Sequence, residues 1–322
     1  MKVAVVGAGV MGCATAWALR ERGADVTVHE QFELDHTRGS SHGRTRIFRL
    51  AYPDPDWIRL AQEAYVGWRE LDPDLLGLYG LVELSPDPAL LSTRALEETG
   101  VPIRLLDEEE VRALGATLPE GWTALYTADA GVVFSERARH TFLEAAGVEV
   151  ETNRRIASTD ELDADVVVVT AGSWIRDLVP DLPVTVTRET LAYFTWEGPP
   201  RPCIVDLSTE SRTHAMYSLH DPVHGLKAGW HHRGSEADPD TEGEPDPAIV
   251  ERIASWVRER FPGVDPRPVE AQTCLYTSTA DQDFILERRG RVVVGSACSG
   301  HGFKFAPVVG RTLAALAREA TG

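Results

Sequence analysis

The segment that most constrains the fold is the amino-terminal stretch KVAVVGAGVMGCATAWALRERGADVTVHE, residues 2–30. Its β-branched apolar run, Val3 to Val6, predicts a buried parallel strand. Residues 11–23 predict a helix with alanine-rich packing faces that ends at Gly23. ADVTVHE then predicts a second strand that ends in Glu30. The stretch is therefore a strand–helix–strand unit, which requires a parallel sheet.

The glycine spacing inside this unit is typical of a dinucleotide cradle. Gly7, Gly9 and Gly12 form G-x-G-x-x-G, in which the first permits a tight turn, the second a close approach to pyrophosphate and the third close helix packing. The helix N-terminus adds unpaired N–H groups and a positive dipole. Glu30 is placed to accept a hydrogen bond from an adenosine ribose hydroxyl and disfavours the 2′-phosphate of NADP. The alternative is an ordinary glycine-rich turn.

A second strand-to-glycine segment bears on the choice between NAD and FAD. LDADVVVVTAGSWIRDLVP, residues 162–180, is an apolar strand that runs into Ala171 and Gly172. It resembles the segment that flavoproteins of this architecture place beside the same cofactor. This resemblance favours FAD.

Composition excludes several classes of partner. The 322 residues carry a formal net charge of −18, which argues against a nucleic-acid surface or an anionic membrane. No apolar stretch approaches the roughly 20 residues that cross a bilayer. The four cysteines have no metal-ligand spacing, so we expect a cytoplasmic protein with reduced thiols. The acidic stretch 234–247 predicts a solvated loop.

Lysine is scarce in this chain, and two of its lysines lie in unusual surroundings. Of 32 Lys and Arg residues, only Lys2, Lys227 and Lys304 are lysines. Lys304 stands between two phenylalanines in SGHGFKFAP, and Lys227 lies in the apolar segment GLKAGWHH. A buried lysine can adjust its pKa, whereas arginine stays charged, so retention of lysine here indicates a chemical role. Arg46 and Arg49, three positions apart, would share one face of a helix.

Several blocks, spread from residue 3 to about residue 314, together resemble one known family. The blocks are the amino-terminal fingerprint, SSHGRTRIFRLAY, GVVFSE, GLKAGWH, DPDT, CLYTSTADQDFIL and SGHGFKFAP. In this order they resemble the family of monomeric sarcosine oxidase and N-methyltryptophan oxidase. Its members are flavin-dependent oxidases of N-methyl and cyclic secondary amino acids.

The resemblance implies roles for individual residues. Cys274 matches the cysteine that is joined covalently to the flavin, and Lys227 the lysine that activates oxygen. Arg49 and Lys304 match the pair that holds the substrate carboxylate, with Arg46 beside the flavin ring. The pocket-lining matches are Tyr217, His231 and Tyr276. The cofactor-binding set is Gly7, Gly9, Val10, Met11, Gly12, Glu30, Ser41, His42, Arg46, Ala171, Gly172, Cys274, Gly300, Gly302, Phe303 and Lys304.

Physical chemistry agrees with these implied roles. A carboxylate that leaves water needs fixed cationic donors, which Arg49 and Lys304 would supply. A positive charge such as Lys227 would stabilise the anion that develops when oxygen is reduced. Three departures from the family pattern leave the substrate open. They are Arg44 for an acidic residue, Trp230 for a tyrosine and Cys298 for a bulkier aromatic.

The expected fold is α/β (α+β overall), with a Rossmann-like FAD-binding domain interleaved with a substrate domain built on a mixed β-sheet. The FAD-binding domain would comprise residues 1–76, 129–182 and 275–322, and the substrate domain 77–128 and 183–274. In the substrate domain, amphipathic periodicity predicts helices at 89–100, 107–115 and 247–261. LAYFTWE and GLKAGWH predict two of its strands.

We therefore expect an FAD-dependent oxidase that converts the C–N bond of a small secondary amino acid, such as sarcosine, to an imine and reduces O2 to H2O2. Its partners would be a small amine and O2, with no nucleic acid or membrane, and the protein would be a monomer. The alternatives within the fold are a glycine or D-amino-acid oxidase and a flavin dehydrogenase with another acceptor. An NAD-dependent dehydrogenase and a non-catalytic nucleotide-binding protein are more distant.

Overall fold

The amino-terminal βαβ unit forms where the sequence predicts it, at the start of a chain that alternates strands and helices. The computed structural model describes residues 1–207 and 214–319. The strands are β1 (Lys2–Val6), β2 (Asp25–His29), β3 (Thr45–Phe48), β4 (Leu76–Gly77), β5 (Leu81–Ser85), β6 (Arg104–Leu106), β7 (Thr123–Thr127), β8 (Gly131–Phe134), β9 (Val150–Glu151), β10 (Val166–Val169), β11 (Thr185–Thr195), β12 (Cys203–Asp206), β13 (Met216–Asp221), β14 (Gly225–Trp230), β15 (Ser235–Glu236), β16 (Glu270–Ser278), β17 (Ile285–Arg289) and β18 (Val292–Ser296). The helices are α1 (Val10–Glu21), α2 (Pro55–Leu71), α3 (Thr93–Glu98), α4 (Glu108–Ala113), α5 (Ser135–Ala146), α6 (Ile175–Leu178), α7 (Pro247–Arg260) and α8 (Ala306–Leu316).

The first large sheet has six strands in the order β9-β2-β1-β10-β18-β17. All neighbours are parallel except β17 and β18. Helix α1 packs against α8 so closely that a Cβ on Gly310 would lie 2.5 Å from the backbone of Ala14. The carboxyl ends of β1, β2 and β10 meet at one edge, the edge where open parallel sheets bind dinucleotides.

The second large sheet has nine strands in the order β15-β11-β14-β13-β12-β5-β7-β6, with β16 also paired to β11. β5 and β12 are parallel, whereas the other pairs are antiparallel. Val205 lies opposite Tyr217, and Tyr217 lies opposite Gly229. The same register places Leu219 opposite Lys227, so Tyr217, Leu219 and Lys227 share one face of the sheet. The mixed α/β architecture expected from the sequence is confirmed.

Local predictions differ in their outcome. Residues 107–115 contain α4 and residues 247–261 contain α7, as the amphipathic pattern indicated. The predicted helix at 89–100 is wrong in extent, because α3 spans only Thr93–Glu98, after a 3₁₀ turn at Pro88–Leu90. The segment of Arg46 and Arg49 contains β3 rather than a helix, in antiparallel pairing with β8. The predicted domain boundaries stay a prediction.

Within residues 1–207 and 214–319, no helix combines the length and the apolar character needed to cross a membrane.

Candidate active site

A cavity of about 480 Å³ is lined by residues from both large sheets. It extends from Val6 and Thr170, at the carboxyl ends of β1 and β10, to Leu219 and Lys227 on the second sheet. All of the predicted site residues except Gly12 line it: Gly7, Gly9, Val10, Met11, Glu30, Ser41, His42, Arg46, Arg49, Ala171, Gly172, Tyr217, Lys227, His231, Cys274, Tyr276, Gly300, Gly302, Phe303 and Lys304. The fold therefore brings together segments from both ends of the chain. Their individual roles stay predictions.

Two glycines at the nucleotide end of the cavity, Gly7 and Gly12, have no room for a Cβ. Gly7 has a φ of +98°, and a Cβ there would lie 2.6 Å from the carbonyl oxygen of Thr170. Gly12 lies beneath this turn, and a Cβ on it would lie 1.8 Å from the carbonyl oxygen of Gly7. Gly12 thus shapes the turn without itself lining the cavity.

Helix α1 points its N-terminus at the cavity. Gly9 is the N-cap residue and has no side chain with which to cap the helix. The N–H of Val10 donates to Ser41 Oγ at 3.0 Å. The hydrogen-bond ladder of the helix begins at Cys13, whose N–H donates to the carbonyl of Gly9. The N–H groups at Met11 and Gly12 have no acceptor within the helix, since the first turn has none to offer. Together with the helix dipole they suit a phosphate.

Glu30 follows β2 and is buried at the nucleotide end of the cavity. Its two carboxylate oxygens accept from the backbone N–H groups of Ala8, at 2.8 Å, and Phe32, at 3.1 Å. These bonds hold the carboxylate in place beside the glycine turn. Each oxygen retains a lone pair that a hydroxyl donor could use.

The acidic segment 234–247 is mostly exposed, as predicted for a solvated loop, and it is also attached to the nucleotide end of the cavity. Asp240 accepts a bidentate pair of hydrogen bonds from Arg155, at 3.0 and 2.9 Å, and a third from Trp174 Nε1 at 2.7 Å. Its backbone carbonyl accepts from Arg38 at 2.8 Å. Both Arg155 and Trp174 line the cavity. The loop therefore ties two walls of the nucleotide groove together, although most of its side chains are exposed.

Arg46 and His42 fix the backbone that crosses the middle of the cavity. Arg46 donates to the carbonyls of Thr45 (3.0 Å), Ser40 (2.8 Å) and His42 (2.5 Å). The ring nitrogens of His42 lie 3.0 Å from the carbonyls of Gly39 and Thr273, which ties this segment to β16. Burial, with Arg46 and Lys227 nearby, lowers the pKa of His42 to about 3. The two backbone hydrogen bonds act against this lowering.

Lys227 is buried at 3% exposure on the cavity face of β14. Its Nζ donates to the carbonyl of Thr45 at 3.0 Å, the same carbonyl that accepts from Arg46. Burial, followed by the charge of Arg46, lowers the pKa of Lys227 to about 7. An ammonium that titrates near neutral pH therefore stands beside a permanent cation.

The two cations predicted to hold a carboxylate lie at the other end of the cavity. Lys304 is 1% exposed, and its Nζ donates to Tyr52 Oη at 3.0 Å and to the carbonyl of His301 at 2.5 Å. Arg49 donates to the carbonyl of Ala51 at 3.0 Å, and its guanidinium lies 4.0 Å from the buried carboxylate of Glu83. Burial, followed by the charge of Arg49, lowers the pKa of Lys304 well below its usual value.

A neutral cluster of Tyr217, His231 and Tyr276 lies on the second-sheet side. His231 Nδ1 lies 3.2 Å from Tyr276 Oη, and a Cβ on Gly300 would lie 2.4 Å from the Tyr276 ring. Gly229 likewise leaves room for Tyr217, because a Cβ on it would lie 2.5 Å from the hydroxyl. Burial raises the pKa of both tyrosines and lowers that of His231 well below its usual value. All three side chains are therefore uncharged.

Two cysteines line the cavity. Cys274 lies on β16 opposite Glu189, and burial raises the pKa of its thiol to about 11, although Arg46 and Lys227 act in the opposite direction. Cys298 is half-buried and lies in the turn before Gly300. The remaining cysteines, Cys13 and Cys203, are buried and have free thiols.

The other two departures from the family pattern lie outside the cavity lining. Arg44 pairs with Asp221 at 2.8 Å and Glu270 at 3.2 Å, and its guanidinium lies 4.5 Å above the ring of Tyr193. Trp230 donates from Nε1 to the carbonyl of His214 at 2.9 Å. Of the three departures, only Cys298 contributes to the shape of the cavity.

The sequence reasoning did not select Tyr52 or Trp57, which also line the cavity. Tyr52 touches both predicted carboxylate-binding cations, with its ring centroid 4.4 Å from the Arg49 guanidinium carbon. Tyr52 ends the block SSHGRTRIFRLAY. Its position three residues after Arg49 is the sequence signal that could have placed it in the site. Asp240 lies in the DPDT block and in the acidic loop, but the sequence reasoning assigned it no role of its own.

These residues fit FAD. The crowded glycine turn, the uncapped helix start and the Glu30 carboxylate suit an adenosine diphosphate, while the cavity continues past Arg46 and Cys274 toward buried cations. A parallel-sheet dinucleotide groove that continues into a buried polar pocket defines a dinucleotide-dependent oxidoreductase.

Comparison with known proteins makes this class specific. The sequence profile of the FAD dependent oxidoreductase family matches residues 2–316, and the chain belongs to this family. It is 32% identical to peroxisomal sarcosine oxidase of Homo sapiens, over 98% of this chain and 92% of the relative. It is 30% identical to monomeric sarcosine oxidase of Bacillus sp. (strain B-0618), over 98% and 91%. The open form of NikD, an unusual amino acid oxidase essential for nikkomycin biosynthesis, superposes with a TM-score of 0.86 at 25% identity, over 98% of this chain and 93% of NikD.

Proposed function

We propose that the protein oxidises small secondary amino acids, N-methyl or cyclic, such as sarcosine. The C–N bond of the amine becomes an imine, which water hydrolyses, and the two electrons and two protons removed convert O2 to H2O2. FAD, when bound, supplies the two-electron acceptor that links these half-reactions. The observation that carries the proposal is the presence of Arg49 and Lys304 in the same cavity as the nucleotide cradle. The named sarcosine oxidases among its relatives support the choice of substrate.

Arg49 and Lys304 would bind the substrate carboxylate. The Lys304 ammonium has three donors, of which Tyr52 and the His301 carbonyl occupy two, so one is left for the ligand. Arg49 supplies a planar fork that matches a carboxylate. A carboxylate held here would orient the rest of the molecule inside the cavity and reduce its freedom before reaction.

The neutral cluster of Tyr217, His231 and Tyr276 would surround the amine. An uncharged wall favours the neutral amine over the ammonium, and only the neutral amine has the lone pair that oxidation requires. The buried rings also exclude water from the reacting carbon. A methyl or ring substituent on nitrogen suits such an apolar surface.

Lys227 would support the reduction of oxygen. Its ammonium lies on the cavity face beside Arg46 and is held by the Thr45 carbonyl. A cation fixed in a water-poor site stabilises negative charge that develops on oxygen, at little reorganisation cost. Arg49 and Lys304 would bind the amino-acid substrate, and Lys227 would act in the reduction of oxygen.

Cys274 would hold the flavin through a covalent thioether. Its position in the cavity lining supports this assignment. Burial raises the pKa of the thiol to about 11, and Arg46 and Lys227 partly offset that effect. Denatured wild-type protein should keep flavin fluorescence on a gel, and Cys274→Ala should lose it. Cys298→Ser is the matched control, since this second cavity cysteine should leave the attachment intact. Free flavin in the denatured wild type would refute the covalent bond.

The activity is tested by peroxide production from sarcosine, N-methyl amino acids, proline, pipecolate and glycine. We expect peroxide from one or more secondary amines and little from glycine. Turnover of glycine or D-amino acids alone would indicate a primary-amine oxidase instead. Reduction of an artificial dye without peroxide would indicate a dehydrogenase.

A further inference from the structure

We propose that Tyr52 is a positioning residue that joins Arg49 and Lys304 into one carboxylate-binding unit. This inference rests on the proposed function, because it concerns how the same two cations bind a substrate carboxylate. Tyr52 follows β3 by four residues, is 6% exposed and lines the cavity. It contacts one cation through its ring and the other through its hydroxyl.

The ring of Tyr52 supports Arg49. The guanidinium carbon lies 4.4 Å from the ring centroid, within the range of a favourable cation–π contact. Arg49 Nη1 also donates to the carbonyl of Ala51, the residue that precedes Tyr52. Arg49 therefore folds back over its own chain and is held on the face of the ring.

The hydroxyl of Tyr52 determines where Lys304 points. Burial favours the neutral amine of Lys304, but the carbonyl of His301 and a bound carboxylate can only accept, so both favour the charged ammonium. The ammonium has no lone pair, so in the 3.0 Å contact Lys304 donates and Tyr52 Oη accepts. The backbone carbonyl of His301 accepts a second hydrogen bond from Lys304 Nζ, at 2.5 Å. With two of three donors fixed by the protein, the direction of the remaining donor is set.

The Tyr52 hydroxyl is itself held in one orientation. Because it accepts from Lys304, it can donate its own proton in the contact with His301 Nδ1, 3.2 Å away. His301 then carries its proton on Nε2, which lies 3.1 Å from the carbonyl of Gln282 at the edge of the cavity. Burial and the charge of Lys304 lower the pKa of His301 to about 3, which agrees with a neutral ring. Each hydrogen bond thus has a defined direction.

Neighbouring rings prevent Tyr52 from turning away. The ring of Trp57 stacks on the Tyr52 ring, with 6.0 Å between centroids and an interplanar angle of 26°. The ring of Phe305, the residue after Lys304, has its centroid 5.8 Å from that of Tyr52. The indole of Trp68 also donates to the backbone carbonyl of Lys304 at 2.7 Å. The tyrosine and the lysine backbone are therefore both fixed, and the hydroxyl is the direct link between them.

The test compares Tyr52→Phe, Tyr52→Leu and Lys304→Met in the flavin-containing enzyme. The probe is methoxyacetate, which keeps the carboxylate of an N-methyl amino acid but cannot be oxidised at nitrogen, with methoxyacetamide as its neutral counterpart. Tyr52→Phe keeps the ring under Arg49 and removes one hydrogen bond to a charged group, so we expect the Kd for methoxyacetate to rise about tenfold. Tyr52→Leu should weaken binding further because the contact with Arg49 is lost as well. Binding of methoxyacetamide should hardly change.

Kinetics separate positioning from a general loss of structure. For Tyr52→Phe we expect KM for the amino acid to rise about tenfold, while kcat stays within about twofold, because the hydroxyl acts on carboxylate binding. Tyr65→Phe is the matched control, since it removes a tyrosine hydroxyl in α2, beside Phe48 and outside the cavity lining. The KM and the kcat of Tyr65→Phe should equal those of the wild type.

Two outcomes distinguish this inference from the proposed function. Unchanged methoxyacetate binding in Tyr52→Phe, together with weak binding in Lys304→Met, would overturn the role of Tyr52 and leave the function intact. Tyr52-dependent binding without peroxide from any secondary amine would overturn the function and support the role of Tyr52. Equal affinity of the wild type for methoxyacetate and methoxyacetamide would overturn both.

Discussion

The two ends of the cavity are built in different ways. At the nucleotide end, Gly7, Gly12 and Glu30 come from one continuous βαβ unit, and they act through backbone geometry and a carboxylate. At the amine end, Arg49, Lys227 and Lys304 come from distant segments, and no regular spacing relates them. The first end is a local backbone turn with no room for a Cβ at Gly7 or Gly12, whereas the second is a set of cations that tertiary contacts position.

This difference predicts how each end fails. A substitution at the nucleotide end should remove the cofactor altogether, because the contact distances leave no room for adjustment. A substitution at the amine end should leave the flavin bound and change one chemical property at a time.

The largest effect is expected for Gly12→Ala. The new Cβ would lie 1.8 Å from the carbonyl oxygen of Gly7, so the turn must open. We expect protein without flavin absorbance and with a lower Tm. Gly23→Ala is the control, because none of the described residues lies within 4 Å of its Cβ and its φ of +74° costs an alanine about 1–2 kcal/mol. Stoichiometric flavin in Gly12→Ala would show that the turn is more adaptable than its contacts indicate.

Lys227→Met should leave cofactor binding and anaerobic reduction by the amine almost unchanged. The reaction with oxygen should slow by roughly 10²–10³-fold, the usual cost of removing one electrostatic stabiliser. Stopped-flow measurement of the two half-reactions separates them. A defect confined to the reaction with the amine would contradict the assignment of Lys227 to oxygen.

Arg49→Met should weaken carboxylate binding by roughly 10- to 100-fold, the effect of losing hydrogen bonds to a charged group. The oxygen reaction should keep its wild-type rate, which is the reverse of the pattern for Lys227→Met. Equilibrium binding of methoxyacetate and the rate of reoxidation measure the two properties. An equal defect in both would mean that the two cationic sites are not separate.

The oxygen reaction should also depend on pH. Because burial lowers the pKa of Lys227 to about 7, the ammonium is present below that pH and is lost as the pH rises through it. Arg46 and Arg44 favour the neutral amine, whereas Asp221 and Cys274 favour the charged form. The rate constant for reoxidation should therefore fall above pH 7, by up to about tenfold per pH unit. In Lys227→Met the profile should be flat, and a wild-type profile that rises above pH 7 would be incompatible with a cationic role.

The sequence predicted the nucleotide end well because its determinants are local. The spacing of Gly7, Gly9 and Gly12 follows from backbone geometry, and the strand that ends at Glu30 follows from a short apolar run. The family resemblance supplied the site residues at the amine end, and all of them line the cavity. Spacing alone could not have done so, because Arg49 and Lys304 meet only through the packing of β3 against the carboxy-terminal segment.

The errors also have physical causes. The pattern at 89–100 looked helical, yet Pro88 and the bend at Leu91 leave only Thr93–Glu98 for α3. The acidic loop is mostly exposed, as predicted, but composition could not reveal that Asp240 has an arginine and a tryptophan as partners. Arg44 looked like a change in the site, whereas Asp221 and Glu270 pair with it outside the cavity lining.

Asp240 provides the smallest and most specific test, because it acts on the nucleotide end without belonging to the cradle. The side chains of Asp240 and Arg155 are 47% and 51% exposed, so their pairing contributes only about 0.5–1 kcal/mol. In a Cys274→Ala background, where the flavin is not covalently held, Asp240→Asn should release flavin about two- to fivefold faster. The difference should shrink at high salt, since screening weakens exposed ion pairs.

The matched control for Asp240→Asn is Asp265→Asn, which breaks an exposed pair with Arg267 away from the cavity lining. Release of flavin, followed by its fluorescence after dilution, should be unchanged in this control. Equal release rates for Asp240→Asn and its parent would mean that the loop only lies over the groove. A faster release that persists at high salt would assign the effect to the short hydrogen bond from Trp174 rather than to the ion pair with Arg155, because salt screens the exposed ion pair more strongly.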